Sequence, residues 1–370
     1  MPGNRIAGVT LARSSGLLRE MPRPVNLRPP EYGQQFDADT VFYASCRALD
    51  PAWVVLFGPP LANLEEPVVS AVRSALPADG RSINVRHLDR HSQIWVRTES
   101  DVLYFRDAPF EQQEFPVQPN LCGLFRHKRV VFTLSKDNDL AWIRDWAFFY
   151  ARHHGCDAVL VYDNNSSRYR SRQISDALSG IPGMGTVVVV DWPFKFGPVG
   201  GGELPWDSNY CKFGFFEHAR HSFLRLASAC VNADVDELVL TRDCTSVVDK
   251  VLKSRTGYLN YVGVWVENAR TGNPTSRRHR DYLHVLRDGG ERAEPKWTIA
   301  PMRCPPEYQW AAHNVAELPF DAEQSQGVLY RHFRGISTNW KEARAFDERP
   351  ASNHVVDAEL ADAMKIFDDA

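Results

Sequence analysis

From Arg129 onward, short apolar runs alternate with longer stretches whose apolar residues recur at helical spacing. Val130–Leu134, Ala158–Tyr162 and Thr186–Val190 read as buried strands. Leu140, Ile143, Trp146, Ala147 and Tyr150 form one stripe of a helix over 140–155, with Gly155 as its stop. A short helix around Gln173–Leu178 precedes the third strand. A long one over Trp206–Ala227, capped by Asp207 or Ser208, follows it. Further on, Tyr258–Val266 and Val328–Phe333 read as strands, Arg270–Arg280 as a polar basic loop and Asp357–Phe367 as a closing helix. Alternation of this kind predicts an α/β domain over 121–370, with a mixed, mostly parallel, Rossmann-like sheet flanked by helices.

The pattern ahead of it differs. Residues 37–120 predict a small α+β accessory unit: a strand at Trp53–Phe57 closed by Gly58-Pro59-Pro60, a helix over Leu64–Leu76, and short strands at Ile83–Leu88, Gln93–Thr98 and Val102–Phe105. It carries no chemical motif, which suits acceptor recognition or self-association. Phe110–Leu121, with two prolines, reads as a linker, and residues 1–36, rich in Arg, Pro, Gly and Ser, as a disordered tail.

Candidate chemistry concentrates where strands end. The stretch Ala229–Leu240 carries Asp234-Val235-Asp236-Glu237 between two apolar runs. In an extended backbone Asp234 and Asp236 share a side while Val235 turns inward. Two such carboxylates repel unless a cation lies between them, and oxygen ligands suit Mg²⁺ or Mn²⁺. The alternative is an acidic surface turn. Lys136-Asp137-Asn138 and Asp163-Asn164-Asn165 follow the first two strands, at the sheet end where open α/β sheets collect ligands. Lys136 is either a solvated lysine at a helix entrance or a diphosphate contact. Asp163 either opens an Asx turn before Asn164 or serves a ligand from its strand-end position.

Composition narrows the classes. A net charge of −3 argues against a dedicated nucleic-acid binder. Seven cysteines without a CxxC pair fit neither a disulfide framework nor a zinc site, and suit a reducing, cytoplasmic setting. No run approaches a membrane span and no secretory signal is legible; peripheral membrane association is compatible with this.

The ordered set of segments resembles the GT-A type nucleotide-sugar glycosyltransferases, in particular the bacterial branch related to families two and ninety-two. The similarity covers about Arg129 to Lys341. It rests on Lys136-Asp137-Asn138, Asp145-Trp146, Val161-Tyr162-Asp163-Asn164-Asn165-Ser166, Asp234-Val235-Asp236-Glu237-Leu238, and His332 with Lys341. Asp137-Asn138 stands where the family shows Asn-Glu, Asp145 where it shows Glu, Tyr150 near its His, and Leu238 for its Phe. The resemblance implies that Asp163 (with Asn164) binds the nucleoside, that Asp234 and Asp236 hold the metal and ribose-diphosphate (a DxD motif), and that His332 is a third metal ligand. It further implies a sugar moved from a nucleotide diphosphate, UDP most readily, to a glycan or lipid-linked acceptor, with surface polysaccharide as a product class.

An inverting transfer needs a carboxylate base near the acceptor hydroxyl; Glu267 and Glu237 are the candidates. His313 is a residue that would line the acceptor site, and Lys296-Trp297 offers either a charge and sugar-stacking platform or a piece of core. Gly200-Gly201-Gly202 lacks the following Lys-Ser or Lys-Thr of a phosphate loop and reads as a flexible loop or lid. Two rivals remain: a phosphoesterase or nucleotidyltransferase using the same carboxylates, and a non-catalytic glycan-binding or scaffold descendant of a transferase.

Overall fold

The computed structural model describes residues 4–6, 8–77, 82–106, 108–198, 207–270, 277–319, 321, 325–338 and 350–368. It divides into two compact units, one made of 125–191 and 226–370, the other of 4–124 and 192–225. Gly200-Gly201-Gly202 and Lys341 lie outside the described residues.

The first unit is built on β1 (Arg129–Ser135), α1 (Leu140–His154), β2 (Ala158–Asp163), α2 (Ser171–Leu178) and β3 (Thr186–Asp191). It continues through β4 (Ala229–Asn232), β5 (Glu237–Thr241), α3 (Val247–Lys253), β6 (Tyr258–Val266), β7 (Arg292–Ile299), β8 (Val328–Phe333) and α4 (Ala358–Met364). The strand order is β3-β2-β1-β4-β7-β6-β8-β5. The first four run parallel, then β7 opposes both β4 and β6, β8 runs with β6, and β5 opposes β8. This mixed α/β sheet is compatible with a Rossmann-like arrangement. The apolar stripe of α1 is buried at Ile143, Trp146, Ala147 and Tyr150. Asp139 caps the helix through the Ala141 N–H, and Gly155 ends it at φ 63°.

β7 is the strand that the hydrophobic pattern hides. Its sequence RAEPKWTI carries charges and a proline in a position with neighbours on both sides. A break in register against β6, between Tyr261↔Lys296 and Gly263↔Ala293, gives Pro295 its place without a ladder hydrogen bond.

The connection from β4 to β5 curls the sheet. In a flat sheet these strands would lie about 19 Å apart, four spacings of ~4.8 Å. The chain covers that step from Asn232 to Glu237 with a β-turn at its end, a reach of about 14 Å. The far strands must roll back toward β4, which gathers residues of β5, β7 and β8 around one turn.

β5 is the last strand of the order, and α1 closes its open side. The Tyr150 hydroxyl donates to the Glu237 carbonyl (3.0 Å) and accepts from the Val239 N–H (3.2 Å). His154 Nε2–H donates to the Val239 carbonyl (2.9 Å), and its Nδ1 accepts from the Val247 N–H (3.2 Å), which fixes the neutral tautomer. A side-chain ladder thus stands where a strand partner would.

The second unit holds an antiparallel sheet in the order Ala44–Arg47, Trp53–Gly58, His91–Arg97, Ile83–Leu88, with the helix Glu65–Ala75. Three expectations change here. Within 1–36, Leu11, Arg19, Arg23, Tyr32 and Phe36 are buried rather than in a loose tail: Asp207 takes a paired contact from Arg23 (2.8 Å) and the Tyr32 hydroxyl (2.7 Å), Arg19 donates to the Asp37 and Thr40 carbonyls, and Leu11 joins an apolar cluster. Phe110–Leu121 is no free linker: Gln113–Pro116 pairs with Val102–Phe105, and Phe110 and Phe115 are buried. The helix expected from Trp206 starts at Tyr210, since Asp207 is committed to Arg23, and passes after Ala219 into a π-helical turn, Arg220–Leu224. No helix among the described residues is long and apolar enough to cross a membrane.

Burial pushes the His154 imidazole down to about 4. Its unfolded value is about 6.5, so the unfolded chain binds the extra proton between those limits and stability falls as pH drops through them. The contribution lost is about 3 kcal/mol at full protonation of the unfolded form. Urea unfolding at pH 7 and pH 4.5 should show a shallower pH dependence in His154→Gln than in the wild type. Equal slopes would remove His154 as the source.

Candidate functional site

β4 ends at Asn232, and the chain turns rather than extends over the acidic residues. The Glu237 N–H reaches the Asp234 carbonyl (3.0 Å), and the Asp234 N–H donates back to Glu237 Oε2 (2.9 Å). Val235 is buried, and His279 Nε2–H donates to its carbonyl (2.9 Å) from behind. Burial lowers the His279 pKa, in keeping with a neutral donor.

Lys296, from β7, reaches into the turn. Its Nζ lies 2.7 Å from Asp234 Oδ2 and 2.9 Å from Glu237 Oε2, with only 3% of the side chain exposed. Burial works to lower this ammonium, but the two carboxylates outweigh it and hold the pKa well above the ordinary lysine value. Burial raises Glu237, and Lys296 opposes that only in part because Asp234 and Asp236 add negative charge. Three carboxylates against one ammonium leave a surplus of negative charge, in keeping with the raised values of Glu237 and Lys296.

Asp236 points to the remaining side. His332 Nε2 lies 3.3 Å from its Oδ2, and the ligand atoms of Asp236, Glu237 and His332 fall within 4.8 Å of one another. Register explains the meeting: Glu237 and Trp265 both pair with His332, on opposite sides of β8. The His332 ring stacks on Trp265 (centroids 3.9 Å apart, 17° between planes), and the Arg334 guanidinium lies over Trp265 at 4.2 Å. Arg334 Nε approaches Glu267 Oε2 at 3.4 Å, while the buried Glu267 Oε1 has no hydrogen-bond partner among the described residues. His332 Nδ1 is in the same condition.

Two residues behind this face set its shape. Tyr330 pairs with Gly263, and a side-chain carbon on that glycine would collide with the Tyr330 ring. The ring lies flat there, and its hydroxyl donates to the Glu294 carbonyl (2.5 Å) at the β7 irregularity. Burial, then the charges of Glu237, Asp234 and Asp236, raise the Tyr330 pKa far above that of a free phenol.

The loops after β1 and β2 form a second cluster at the same end of the sheet. Ser135, Asp163 and Asp191 stand side by side in register, and β1 has β2 on one side and β4 on the other. That is the switch point at which open α/β sheets receive ligands. Asp163 accepts from the Ser166 hydroxyl (2.5 Å) and N–H (3.3 Å), which is an Asx-type turn. Burial raises its carboxyl, and the Ser166 hydrogen bonds oppose the rise. Asn164 is buried and donates its N–H to the Ser135 carbonyl (2.8 Å). Lys136 is half-buried. Asp137, at φ 54°, accepts from the N–H groups of Ser167 (2.7 Å) and Arg168 (3.0 Å), tying the two loops together.

The structure thus gathers Asp234, Asp236, Glu237 and His332, and joins Glu267 to them through Arg334 and Trp265. Asp145 is ion-paired with Arg278 on the side of α1, and Trp297 is core, its Nε1–H donating to the Ala311 carbonyl (2.8 Å). His313 Nδ1 contacts the Pro295 carbonyl (3.0 Å). Sequence reasoning missed the central role of Lys296, and with it Trp265, Tyr330 and Arg334. A lysine between Pro295 and Trp297 in a chain segment of buried residues was the available signal.

No family model matches the chain, and no curated protein does. Among solved structures, the apo structure of WbbM, a bifunctional glycosyltransferase, is similar over 42% of this chain and 27% of that one, at 16% identity and a TM-score of 0.24. The chain therefore spans only about a quarter of that protein.

Removing the ammonium while leaving the carboxylates should be costly. Lys296→Met is expected to lose about 3–5 kcal/mol of stability at neutral pH. Part of the loss should return at pH 5, where the unpaired carboxylates take up protons, and in the double variant Lys296→Met/Glu237→Gln. Chemical denaturation of the three proteins at both pH values checks this; a pH-independent loss would point to packing instead.

Proposed function

We propose that this protein is a metal-dependent glycosyltransferase of the GT-A type, acting on a nucleotide diphosphate sugar, with UDP as the first nucleotide to try. The observation that carries the reading is the convergence of Asp236, Glu237 and His332 at the carboxyl end of the central strands, beside a turn already held by Lys296. The spacing of the Asp236–His332 pair suits a single divalent ion, with Glu237 close by. Ligands at right angles on an ion with bonds near 2.1 Å are about 3 Å apart, close to the 3.3 Å between His332 Nε2 and Asp236 Oδ2. An imidazole among carboxylates favours Mn²⁺ over Mg²⁺.

When bound, the metal supplies Lewis-acid and electrostatic stabilisation of the departing nucleotide diphosphate. The chain's own residues do the rest. Lys296 offsets part of the charge of Asp234 and Glu237, and a bound divalent ion would offset the rest, which would let the site receive an anion. Trp265 fixes the His332 ring from one face. Lys136 and the Asp163-Asn164 loop stand at the neighbouring strand ends, where the diphosphate and nucleoside of the donor would lie. Of the two carboxylates considered as base, Glu237 has Oε2 committed to Lys296 and the Asp234 N–H. Glu267, with a free Oε1, is the better choice for taking the acceptor proton. The acceptor is proposed as a glycan or lipid-linked sugar.

Calorimetry of UDP with and without Mn²⁺ tests the reading. The wild type should bind UDP at least tenfold more tightly with Mn²⁺, and Asp236→Ala and His332→Ala should lose that gain. If UDP fails, GDP and other nucleotides follow. Metal-independent binding, or none to any nucleotide, would sink the proposal and favour a non-catalytic sugar-binding role.

A further inference from the structure

A second cleft, of about 540 Å³, lies on the outer side of α1, within the same unit. Arg144, Phe148 and Arg152 supply one wall, spaced four residues apart along the helix, so that all three face the same way. Arg278 and Arg280 supply another, and Phe367 packs against Phe148 to make an apolar floor (ring centroids 5.6 Å apart). Four guanidinium groups therefore surround one cleft.

Their partners show which charges are spent. Arg278 is committed to Asp145 in a paired contact. Arg144 Nη1 donates to the carbonyls of Ala177 (2.7 Å) and Ser179 (3.1 Å), and Arg280 Nη1 to that of Phe367 (3.1 Å). Neutral carbonyls orient these side chains without cancelling their charge. Arg152 is exposed and makes no hydrogen bond or ion pair among the described residues. Among the described residues that line the cleft, Asp145 is the only carboxylate, so three of the four arginines have no carboxylate partner in the lining. Guanidinium groups held by neutral acceptors next to an aromatic floor suit a phosphate attached to an apolar or aromatic body.

The cleft is separate from the acidic turn. Arg152 lies in the last turn of α1, and Gly180 and Pro182 precede β3, so this part of the cleft sits toward the strand starts rather than the strand ends. It is nonetheless connected to the turn, because Arg278 is followed by His279, which donates to the Val235 carbonyl.

We propose that this cleft is an anion site for a phosphate ester with an apolar or aromatic body, either a soluble ester or the headgroup of a phospholipid. Both sources present the same chemistry to Arg144, Arg152 and Arg280. The test uses the full chain in EDTA, so that metal-dependent binding at the acidic turn is not counted. Phenyl phosphate and inorganic phosphate are titrated by calorimetry, and sedimentation is measured with phosphatidylcholine vesicles with and without phosphatidic acid. Expected is saturable binding of phenyl phosphate, tighter than inorganic phosphate, or sedimentation that requires phosphatidic acid; the arm that responds identifies the source. Arg152→Ala/Arg280→Ala, with an unchanged circular dichroism spectrum, should weaken either signal at least tenfold. Phe148→Ala should remove the advantage of phenyl phosphate over inorganic phosphate. Binding in neither arm, or binding that the double arginine variant leaves intact, would overturn the proposal.

Discussion

The first unit's acidic turn depends on one buried ammonium. Asp234, Asp236 and Glu237 fall within four consecutive positions, and the turn itself folds Glu237 back onto Asp234. Without a cation their mutual repulsion and loss of hydration would open the turn. Lys296 supplies that cation from a strand more than fifty residues later, and in doing so pins β7 beside the β4–β5 connection. The charge arithmetic then has a consequence for chemistry. One ammonium satisfies Asp234 and one oxygen of Glu237, leaving Asp236 and the imidazole of His332 turned to the other side, where net negative charge persists. The protein stabilises the turn without neutralising the site.

Bringing Lys296 there requires the sheet to curl, and the curl is built from small backbone adjustments. Pro295 cannot donate to a ladder, so β7 breaks register against β6 one residue before the lysine. Gly263 leaves room for the Tyr330 ring, whose hydroxyl binds the Glu294 carbonyl exposed by that break. Tyr330 and His332 lie two apart on β8 and so share a face. The irregularity, the missing side chain and the ligand position are therefore consequences of one another.

This explains how much could be read from the chain. β1, β2, β3, β6 and β8 are short apolar runs with one dominant period, and their predicted limits lie within about two residues of those observed. The stripe of α1 was equally plain because four of its five members are buried and Leu140 packs partly buried against the same core. β7 was not legible, since its alternation is overwritten by Arg292, Glu294, Pro295 and Lys296. The acidic stretch was legible as a place but not as a shape: the extended backbone that would align Asp234 with Asp236 is replaced by a turn once Glu237 has a donor in the Asp234 N–H. The N-terminal 36 residues misled for a related reason. Arg19 and Arg23 look solvated in sequence, and only a distant carboxylate, Asp207, or the carbonyls that Arg19 meets, make their burial affordable.

The side chains that hold the acidic turn from behind come largely from α1 and the segment packed on it. Tyr150 and His154 bond the backbone of β5, Asp145 fixes Arg278, and the adjacent His279 bonds Val235. The Tyr150, His154 and His279 contacts are made to main-chain groups of the turn or its strand, so they restrain its position without using its carboxylates. A site held in this way is organised before anything binds, which is the condition under which charged groups stabilise a developing charge at least reorganisation cost. The same helix carries the arginine cleft on its outer side. Arg278, which lines that cleft and pairs with Asp145, and His279, which bonds the Val235 carbonyl of the turn, are neighbours in the chain, so one dipeptide contacts both places.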